Sequence, residues 1–267
     1  ITTRLVGSEM CIRDRFKKGG GAKGKEGTLT PLQAVSSALA GCVGTANIAG
    51  VATAMVVGGP GAVFWMWVVA LLGMLTKCVE VTLGQYYRVK GEDGVYYGGP
   101  MYYIERGMGR KWKPLAVIFS VTIILGGLGT AAFAQPYTMS TAVQNSLGIP
   151  AWITTVAAAV ICGVVLLGGV KSIGGFCEKL TPAMCLIYVV GVLGVIIINL
   201  EHVPAAFAAI FRYAFAPMPA VGGLAGSTVA LALRQGAARG TFSNEAGCGS
   251  SPITHATAIT GRMGDGR

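Results

Sequence analysis

Residues 41–50 read GCVGTANIAG and lie in an apolar segment that carries no charged residue from position 31 to position 57. A helix of that length can cross a bilayer. The quoted stretch holds three glycines, a threonine and an asparagine, and these residues weaken a helix or need a hydrogen-bond partner when buried. In lipid, a broken helix is tolerated only where it lines a cavity or packs within protein. The stretch therefore predicts either a binding site at membrane depth or a close seam between helices, because small residues also let backbones approach.

A second stretch near the C-terminus repeats the pattern of the first. Residues 240–247 read GTFSNEAG and residues 44–50 read GTANIAG, so both contain Gly-Thr, then Asn, then Ala-Gly. The second copy has one more residue between the threonine and the asparagine. Two glycine-interrupted apolar segments at corresponding positions indicate a secondary transporter built from structural repeats. The pair favours a binding site over a packing seam.

The composition indicates an integral membrane protein. Hydrophobic residues make up 53% of the chain and charged residues 12%, with a mean hydropathy of +0.62, whereas about 25% of the residues of a soluble domain are charged. The net charge of +10 comes from basic residues between the apolar spans, which predicts membrane topology and no nucleic-acid partner. The seven cysteines show no paired spacing and predict neither disulfides nor a zinc site.

Six membrane spans are expected from the apolar pattern, and the first and the last are broken. Their ranges are 31–57, 62–83, 114–143, 152–170, 182–200, and 221 through the second break. Lys77 and Glu80 in the second span are three residues apart on one helix face, which predicts a pair. Residues 203–219 place aromatic and aliphatic side chains at helical spacing, which predicts an interfacial helix on the outer surface.

Loop charge predicts the orientation of the spans. Residues 1–30 are basic and read as a cytoplasmic lead-in, the loop at 84–113 holds six basic residues, and the loop at 144–150 holds none. By the positive-inside rule, the first two face the cytoplasm and the third faces outside. An odd number of spans, five, separates the starts of the two broken helices. They are therefore expected to enter the membrane from opposite faces, which makes the repeat inverted.

Four ordered motifs resemble the alanine or glycine:cation symporter family, the sodium:alanine symporters. They read GTANIAGVAT from position 44, GGPGAVFWMW from 58, GGPMYY from 98 and FSNEAG from 242, and the likeness extends from about residue 18 to residue 256. The resemblance implies an all-α membrane protein with the leucine-transporter-like inverted-repeat fold. It also implies uptake of alanine or glycine with sodium or protons across a prokaryotic plasma membrane, with no cofactor beyond the coupling ion. A monomer is expected.

The resemblance also predicts how the chain is divided. Family members usually have more spans, with one helix before the first broken one and the rest of a second repeat afterwards, so this chain is expected to be an internal fragment. Residues 1–30 form the lead-in, within which 5–15 match nothing in the family and read as a non-native junction. Residues 31–200 form the first repeat of five helices. Residues 203–219 form the external helix, and 220–267 form the truncated start of the second repeat with its first broken helix.

An amino-acid zwitterion needs donors for its carboxylate and acceptors for its ammonium group. Half-helix N-termini offer free amides, and unwound carbonyls and hydroxyl oxygens suit an ammonium group or a sodium ion. The predicted substrate-binding residues are Thr45, Ala46, Asn47, Gln135, Phe242, Asn244 and Gly247. The predicted sodium ligands are Thr45, Asn47, Thr241 and Ser243. For each hydroxyl the alternative is a hydrogen bond back to its own helix.

Two details of the breaks bear on this site. Family members usually have Gly-Thr-Gly-Asn in the first motif, and Ala46 replaces the middle glycine, which predicts a preference for glycine over alanine. Glu245 is the one acidic residue in a break. A structural ion pair with Arg239 is favoured over a role as a coupling carboxylate.

Other classes of function remain open from the sequence. An enzyme with Ser243 as nucleophile lacks a histidine or lysine base nearby in sequence. A passive channel fits two pseudo-symmetric breaks less well than a transporter that occludes its substrate. Within the transporter class, the alternatives are a symporter for another small neutral solute and a fragment that is inactive by itself.

The topology is testable by cysteine labelling of whole cells. In a cysteine-free background, a membrane-impermeant thiol reagent is expected to modify Ser146→Cys and to spare Gly94→Cys, because the loop at 144–150 faces outside. Modification of Gly94→Cys alone would reverse the assignment.

Overall fold

The computed structural model of the chain describes residues 27–219 and 227–259. Most of the predicted lead-in, the start of the sixth predicted span at 220–226, and the last residues, 260–267, lie outside the described residues. Helix α1, Pro31–Cys42, begins with a capping box. The Thr30 hydroxyl accepts a hydrogen bond from the Gln33 amide, and the Gln33 side chain accepts one from the Thr30 amide. The two bonds satisfy donors that a helix start otherwise leaves unpaired.

The first predicted break is confirmed. A π-helical turn, Ala46–Gly50, follows α1, and α2 covers Val51–Gly58. The two parts of the span are bent by 46° at the break. Single π-helical turns of this kind occur frequently at functional sites.

Helix α3, Gly61–Tyr86, is the second predicted span and is unbroken over 26 residues. The predicted loop that follows has structure of its own. It forms an antiparallel hairpin of β1 (Val89–Lys90) and β2 (Tyr96–Tyr97), and then helix α4 (Pro100–Gly107). The hairpin and α4 together connect α3 to the third span.

The third span is formed by α5 (Lys113–Gly126), a π-helical turn (Gly127–Ala131) and α6 (Ala132–Leu147). A short turn leads to α7, Ala151–Leu167, which corresponds to the fourth predicted span. Gly168 then joins α7 to α8, Gly169–Ile198.

The helix that contains the fifth predicted span begins well before residue 182, the predicted start of that span. Helix α8 begins at Gly169 and continues through Pro182. A membrane helix tolerates an internal proline where neighbouring helices and side chains satisfy the freed backbone groups. The prediction took proline as a helix start and the polar residues before it as a loop.

Helix α9, Val203–Phe215, confirms that the stretch at 203–219 contains a helix. It packs on the N-terminal turns of α3 through aromatic rings. Phe64 contacts Phe211 and Phe215 edge to face, with ring centroids 5.7 and 5.1 Å apart, and the Trp65 indole donates a hydrogen bond to the Ala214 carbonyl at 3.1 Å. Edge-to-face pairs of this kind stabilise beyond the burial of area alone.

Among the described residues, three helical stretches are long and apolar enough to cross a membrane: α3, the stretch Arg110–Leu147, and α8. The bent pair of α1 and α2 makes a fourth candidate span. Helix α7 is apolar but shorter, at 17 residues, and the described part of the sixth predicted span is α10, Val229–Asn244. The chain is mainly helical, as expected of an all-α membrane protein. The leucine-transporter-like inverted repeat stays a prediction.

Helix α3 lies at the centre of the packing, where small residues let other helices approach it. Gly236 of α10 packs on α3 so closely that an added Cβ would lie 2.5 Å from the Ala62 carbonyl oxygen. At the start of α3, a Cβ on Gly61 would lie 2.0 Å from the Tyr213 carbonyl oxygen of α9. Small residues at helix contacts are the usual way in which membrane helices gain close packing.

Backbone hydrogen bonds join two segments that are distant in sequence, one before α1 and one near residue 258. The amides of Thr28 and Leu29, just before α1, donate to the Thr257 carbonyl at 2.8 and 3.0 Å, and the Ile259 amide donates back to the Leu29 carbonyl at 2.7 Å. Thr257 directly follows α11, Ser250–Ala256. The Arg88 guanidinium adds a hydrogen bond to the Ala258 carbonyl at 2.8 Å. The segment before α1 is therefore tied to the segment after α11.

The contact between α3 and α10 predicts a steric test. Gly236→Val, in the protein expressed from its whole reading frame, is expected to lower the free energy of unfolding by about 1–3 kcal/mol, because overpacking forces backbones apart. Gly194→Val is the matched control, since nothing lies within 4 Å of a Cβ at that position. Thermal unfolding in detergent micelles measures both. Equal destabilisation by the two variants would contradict the described contact.

Candidate functional site between the two helix breaks

The two breaks meet through Asn47 and Ser243. The Ser243 hydroxyl donates a hydrogen bond to Oδ1 of Asn47, and Nδ2 of Asn47 donates to the Cys42 carbonyl at 2.7 Å. The side-chain amide of Asn47 thus satisfies a carbonyl at the C-terminal end of α1 and holds α10 beside that end. An amide oxygen has two lone pairs, so Oδ1 of Asn47 keeps the capacity to accept a further donor or to bind a cation.

Gln135 reaches the first break from α6. Its Oε1 accepts hydrogen bonds from the Thr45 amide at 3.1 Å and from the Thr45 hydroxyl at 2.9 Å. Gly44 makes this approach possible, because a Cβ there would lie 2.6 Å from Nε2 of Gln135. The structure therefore places Gln135 against the first break, where the sequence analysis expected it.

Asn244 is oriented differently from Asn47, although the two motifs make them equivalent. Its Oδ1 accepts a hydrogen bond from the Ala246 amide at 2.9 Å. Its Nδ2 points towards α3, where a Cβ on Gly73 would lie 2.6 Å away. This nitrogen is buried and has no hydrogen-bond partner among the described residues. Ser243, rather than Asn244, is the residue of the second break whose side chain binds Asn47.

The remaining predicted site residues lie apart from this contact. Thr241 is exposed, and Phe242 is 47% exposed. Gly247 is also exposed, and its amide donates a hydrogen bond to Oε2 of Glu80 at 3.2 Å. Ala46 begins the π-helical turn of the first break. The structure thus brings together Thr45 with Gln135 and Asn47 with Ser243, and it leaves Thr241 and Phe242 on the surface of this chain.

The predicted ion pair between Glu245 and Arg239 is wrong. Oε2 of Glu245 accepts a hydrogen bond from the Ser250 hydroxyl at 2.7 Å, and none of the ion pairs in the described part of the chain joins Glu245 to Arg239. Glu245 ends α10 in the left-handed conformation, with φ of 51°. That conformation breaks the helical path, so its side chain turns towards α11 instead of lying along α10.

The predicted pair of Lys77 with Glu80 is also wrong, because each binds the backbone of the second break. The Lys77 ammonium donates to the Asn244 carbonyl at 3.0 Å and to the Glu245 carbonyl at 3.3 Å, while Glu80 accepts from the Gly247 amide. A helix end leaves its last carbonyls unpaired and partly negative, which favours a cation there. The sequence did contain a signal for this role of Lys77 and Glu80. Charged residues within an apolar membrane span usually mark a functional position.

The negative charge of Glu80 also acts on Tyr103 of α4. Burial raises the pKa of the Tyr103 phenol, and the negative charge of Glu80 raises it further. Among the described residues, no group of histidine, cysteine, aspartate and glutamate side chains has the arrangement of a metal site.

Comparison with known proteins identifies the family. The sequence profile of the sodium:alanine symporter family matches residues 4–263. The chain belongs to this family. The match runs over both breaks and confirms the resemblance drawn from the four motifs. Residues 5–15 fall inside the matched range but outside the described residues, and their non-native origin stays a prediction.

Several curated relatives are similar over most of this chain. An uncharacterized transporter of Haemophilus influenzae is 46% identical over 246 residues, which are 92% of this chain and 53% of that protein. The sodium/alanine symporter AgcS of Methanococcus maripaludis is 40% identical over 90% of this chain and 52% of its own length. The probable sodium/glutamine symporter GlnT of Bacillus subtilis is 37% identical over 92% of this chain and 50% of its own length. The chain spans about half the length of these relatives.

Family membership and apolar helices together make the chain part of a multi-pass membrane transporter. The family and its named relatives are symporters and carriers, so the enzyme alternative for Ser243 is excluded.

Proposed function

We propose that the protein containing this chain takes up alanine or glycine by symport with sodium or protons across the plasma membrane. The observation that carries the proposal is the contact between Asn47 and Ser243, which joins two broken helices in a member of the sodium:alanine symporter family. Its N-terminal side is cytoplasmic, as the loop charges indicate, and it acts as a monomer. The surrounding lipid and the transported solute and ion are its partners, with no nucleic acid.

The substrate carboxylate binds at the start of the helix that follows the first break. A helix N-terminus directs unpaired N–H groups and a positive dipole end at an anion. Here the π-helical turn and α2 supply that end, and the Thr45 hydroxyl stands beside it with Gln135. The proposed substrate residues are those named from the sequence: Thr45, Ala46, Asn47, Gln135, Phe242, Asn244 and Gly247.

The coupling ion binds where the two breaks share oxygen atoms. Asn47 and Ser243 present an amide oxygen and a hydroxyl in direct contact, and hard cations prefer such ligands. The proposed sodium ligands are Thr45, Asn47, Thr241 and Ser243. An ion held by both helices favours the conformation in which the breaks are together. This gives a physical route for coupling, since a ligand shifts a conformational equilibrium by its differential affinity for the two states.

Substrate size is restricted at the first break. Ala46 adds a methyl group where family members usually have glycine. One methyl-sized difference in a pocket discriminates by about 1–3 kcal/mol, so the preference for glycine over alanine is partial.

Glutamine is a second candidate substrate. The observation that favours it is the 37% identity to a probable sodium/glutamine symporter, which is close to the 40% identity to a sodium/alanine symporter. Alanine and glutamine are both neutral zwitterions, so each needs hydrogen-bond donors for its carboxylate and acceptors for its ammonium group. They differ in the side-chain volume that the site has to hold.

Uptake into proteoliposomes tests the proposed function. The protein expressed from its whole reading frame is expected to accumulate labelled alanine when a sodium or a proton gradient is imposed, and unlabelled glycine is expected to compete. Competition by glutamine that exceeds competition by glycine would favour the second candidate. Alanine flux that is indifferent to both gradients would overturn the symporter and leave a passive channel.

Asn47→Leu and Asn244→Leu are each expected to lower the apparent affinity for substrate or ion by roughly tenfold or more. Removing a partner from a buried polar or charged group costs about 1–3 kcal/mol, and 1.4 kcal/mol is a factor of ten. Asn145→Leu is the matched control, because Asn145 is exposed near the end of α6. Uptake kinetics are measured for protein that reaches the membrane. Normal substrate and sodium dependence in both variants would place the site elsewhere.

A further inference from the structure

We propose that Lys77 and Glu80 of α3 are positioning residues that hold the second break in the conformation needed for transport. We also propose that the Lys77 ammonium group is a built-in cation shared by both broken helices. Their role deepens the proposed function and rests on it. The geometry that supports the proposal is independent of the identity of the substrate.

Lys77 connects the C-terminal ends of the two broken helices. Its ammonium group donates to the carbonyls of Asn244 and Glu245 at 3.0 and 3.3 Å, at the end of α10. It also lies 3.6 Å from Sγ of Cys42, the last residue of α1. An ammonium group has three hydrogens, and these contacts use all of them. The ammonium group thus binds the last carbonyls of α10, whose dipole end is negative, and contacts the thiol of the last residue of α1.

Glu80 binds the other side of the same break. It lies three residues after Lys77, and its Oε2 accepts the Gly247 amide at 3.2 Å. Glu80 is buried, with 9% of its surface exposed, and a buried charge needs such a partner. The cation of the pair therefore binds carbonyl oxygens, and the anion binds an amide, on opposite sides of a break of a few residues.

One face of α3 contacts the second break and the helices on either side of it over several turns. Gly73, Lys77, Glu80 and Gly84 recur at helical spacing, so they lie on the same side of α3. Gly73 leaves room for the Asn244 amide, and Gly84 packs against Pro252 of α11, where an added Cβ would lie 2.6 Å from the proline Cβ. The face holds the end of α10, the break and the start of α11 in sequence.

The backbone conformation of the second break is not expected to persist without the contacts of Lys77 and Glu80. Glu245 is the described non-glycine residue with positive φ, at 51°, a conformation that is unfavourable for a side chain with a Cβ. Such a backbone conformation persists where several surrounding contacts hold the residue in it. Here the surroundings are Lys77 on its carbonyl and Ser250 on its carboxylate.

The reactivity of Ser251→Cys reports whether the break is held. Ser251 lies in the first turn of α11, directly after the break, and is buried with 2% of its surface exposed. In the protein expressed from its whole reading frame, the native cysteines are replaced, Cys42 by serine, Ser251→Cys is introduced, and the rate of its modification by a small thiol reagent is measured. Lys77→Met and Glu80→Gln are each expected to raise this rate at least about tenfold, because a hydrogen bond to a charged group contributes about one such factor or more. Lys77→Arg is expected to restore most of the protection.

Controls separate positioning from general loss of structure. Lys179→Met and Glu201→Gln remove exposed charges away from the break and are expected to leave the rate unchanged. In a second background the single cysteine is Cys162, which is exposed on α7, and its rate is expected to be the same in all variants. If Lys77→Met fails to reach the membrane, Glu80→Gln decides.

Equal rates at Ser251→Cys in Lys77→Met, Glu80→Gln and the starting protein would overturn the proposal. A parallel rise at Ser251→Cys and at Cys162 would also overturn it, since that result means global destabilisation. The assay involves no transport. A starting protein that does not accumulate alanine would therefore contradict the proposed function and leave this measurement valid.

Discussion

A break in a membrane helix leaves backbone amides and carbonyls that lipid cannot satisfy, and the architecture of this chain depends on how they are satisfied. Side chains from neighbouring helices supply the partners. Lys77 and Glu80 serve the second break, Gln135 serves the first, and Asn47 joins the two through Ser243. Each is a polar residue within an otherwise apolar element. The breaks can therefore exist only in the folded arrangement, and not in isolated helices.

This requirement explains why α3 is central and why it carries small residues. Polar side chains reach backbone groups only where helices approach closely. Gly73 and Gly84 on α3 and Gly236 on α10 permit that approach. The aromatic contacts of Phe64 and Trp65 with α9 fix the other end of α3. Helix α3 is therefore held by contacts at both ends and can position the break, as a precise binding site requires.

The sequence was sufficient for features that depend on local composition. Both breaks, the unbroken α3 and the position of Gln135 in the third span follow from apolar runs interrupted by glycine and amide residues. The partners of Lys77, Glu80 and Glu245 could not be obtained in this way, because helical spacing compares residues of one helix. Lys77 and Glu80 bind backbone groups of the second break, and Glu245 accepts a hydrogen bond from the Ser250 hydroxyl of α11. The added residue in the second motif had a similar effect. One residue rotates a helix position by about 100°, so Ser243 and not Asn244 presents its side chain to Asn47.

The central claim is that the two breaks are in contact, and cross-linking tests it directly. Asn47→Cys and Ser243→Cys are introduced into a cysteine-free protein expressed from its whole reading frame, with a protease site inserted after Gly148. A short bifunctional thiol reagent is applied in membranes before proteolysis. The account predicts that the two pieces stay joined when both cysteines are present and separate when either is absent. Separation of the pieces in the double variant, with and without sodium and alanine, would contradict the account.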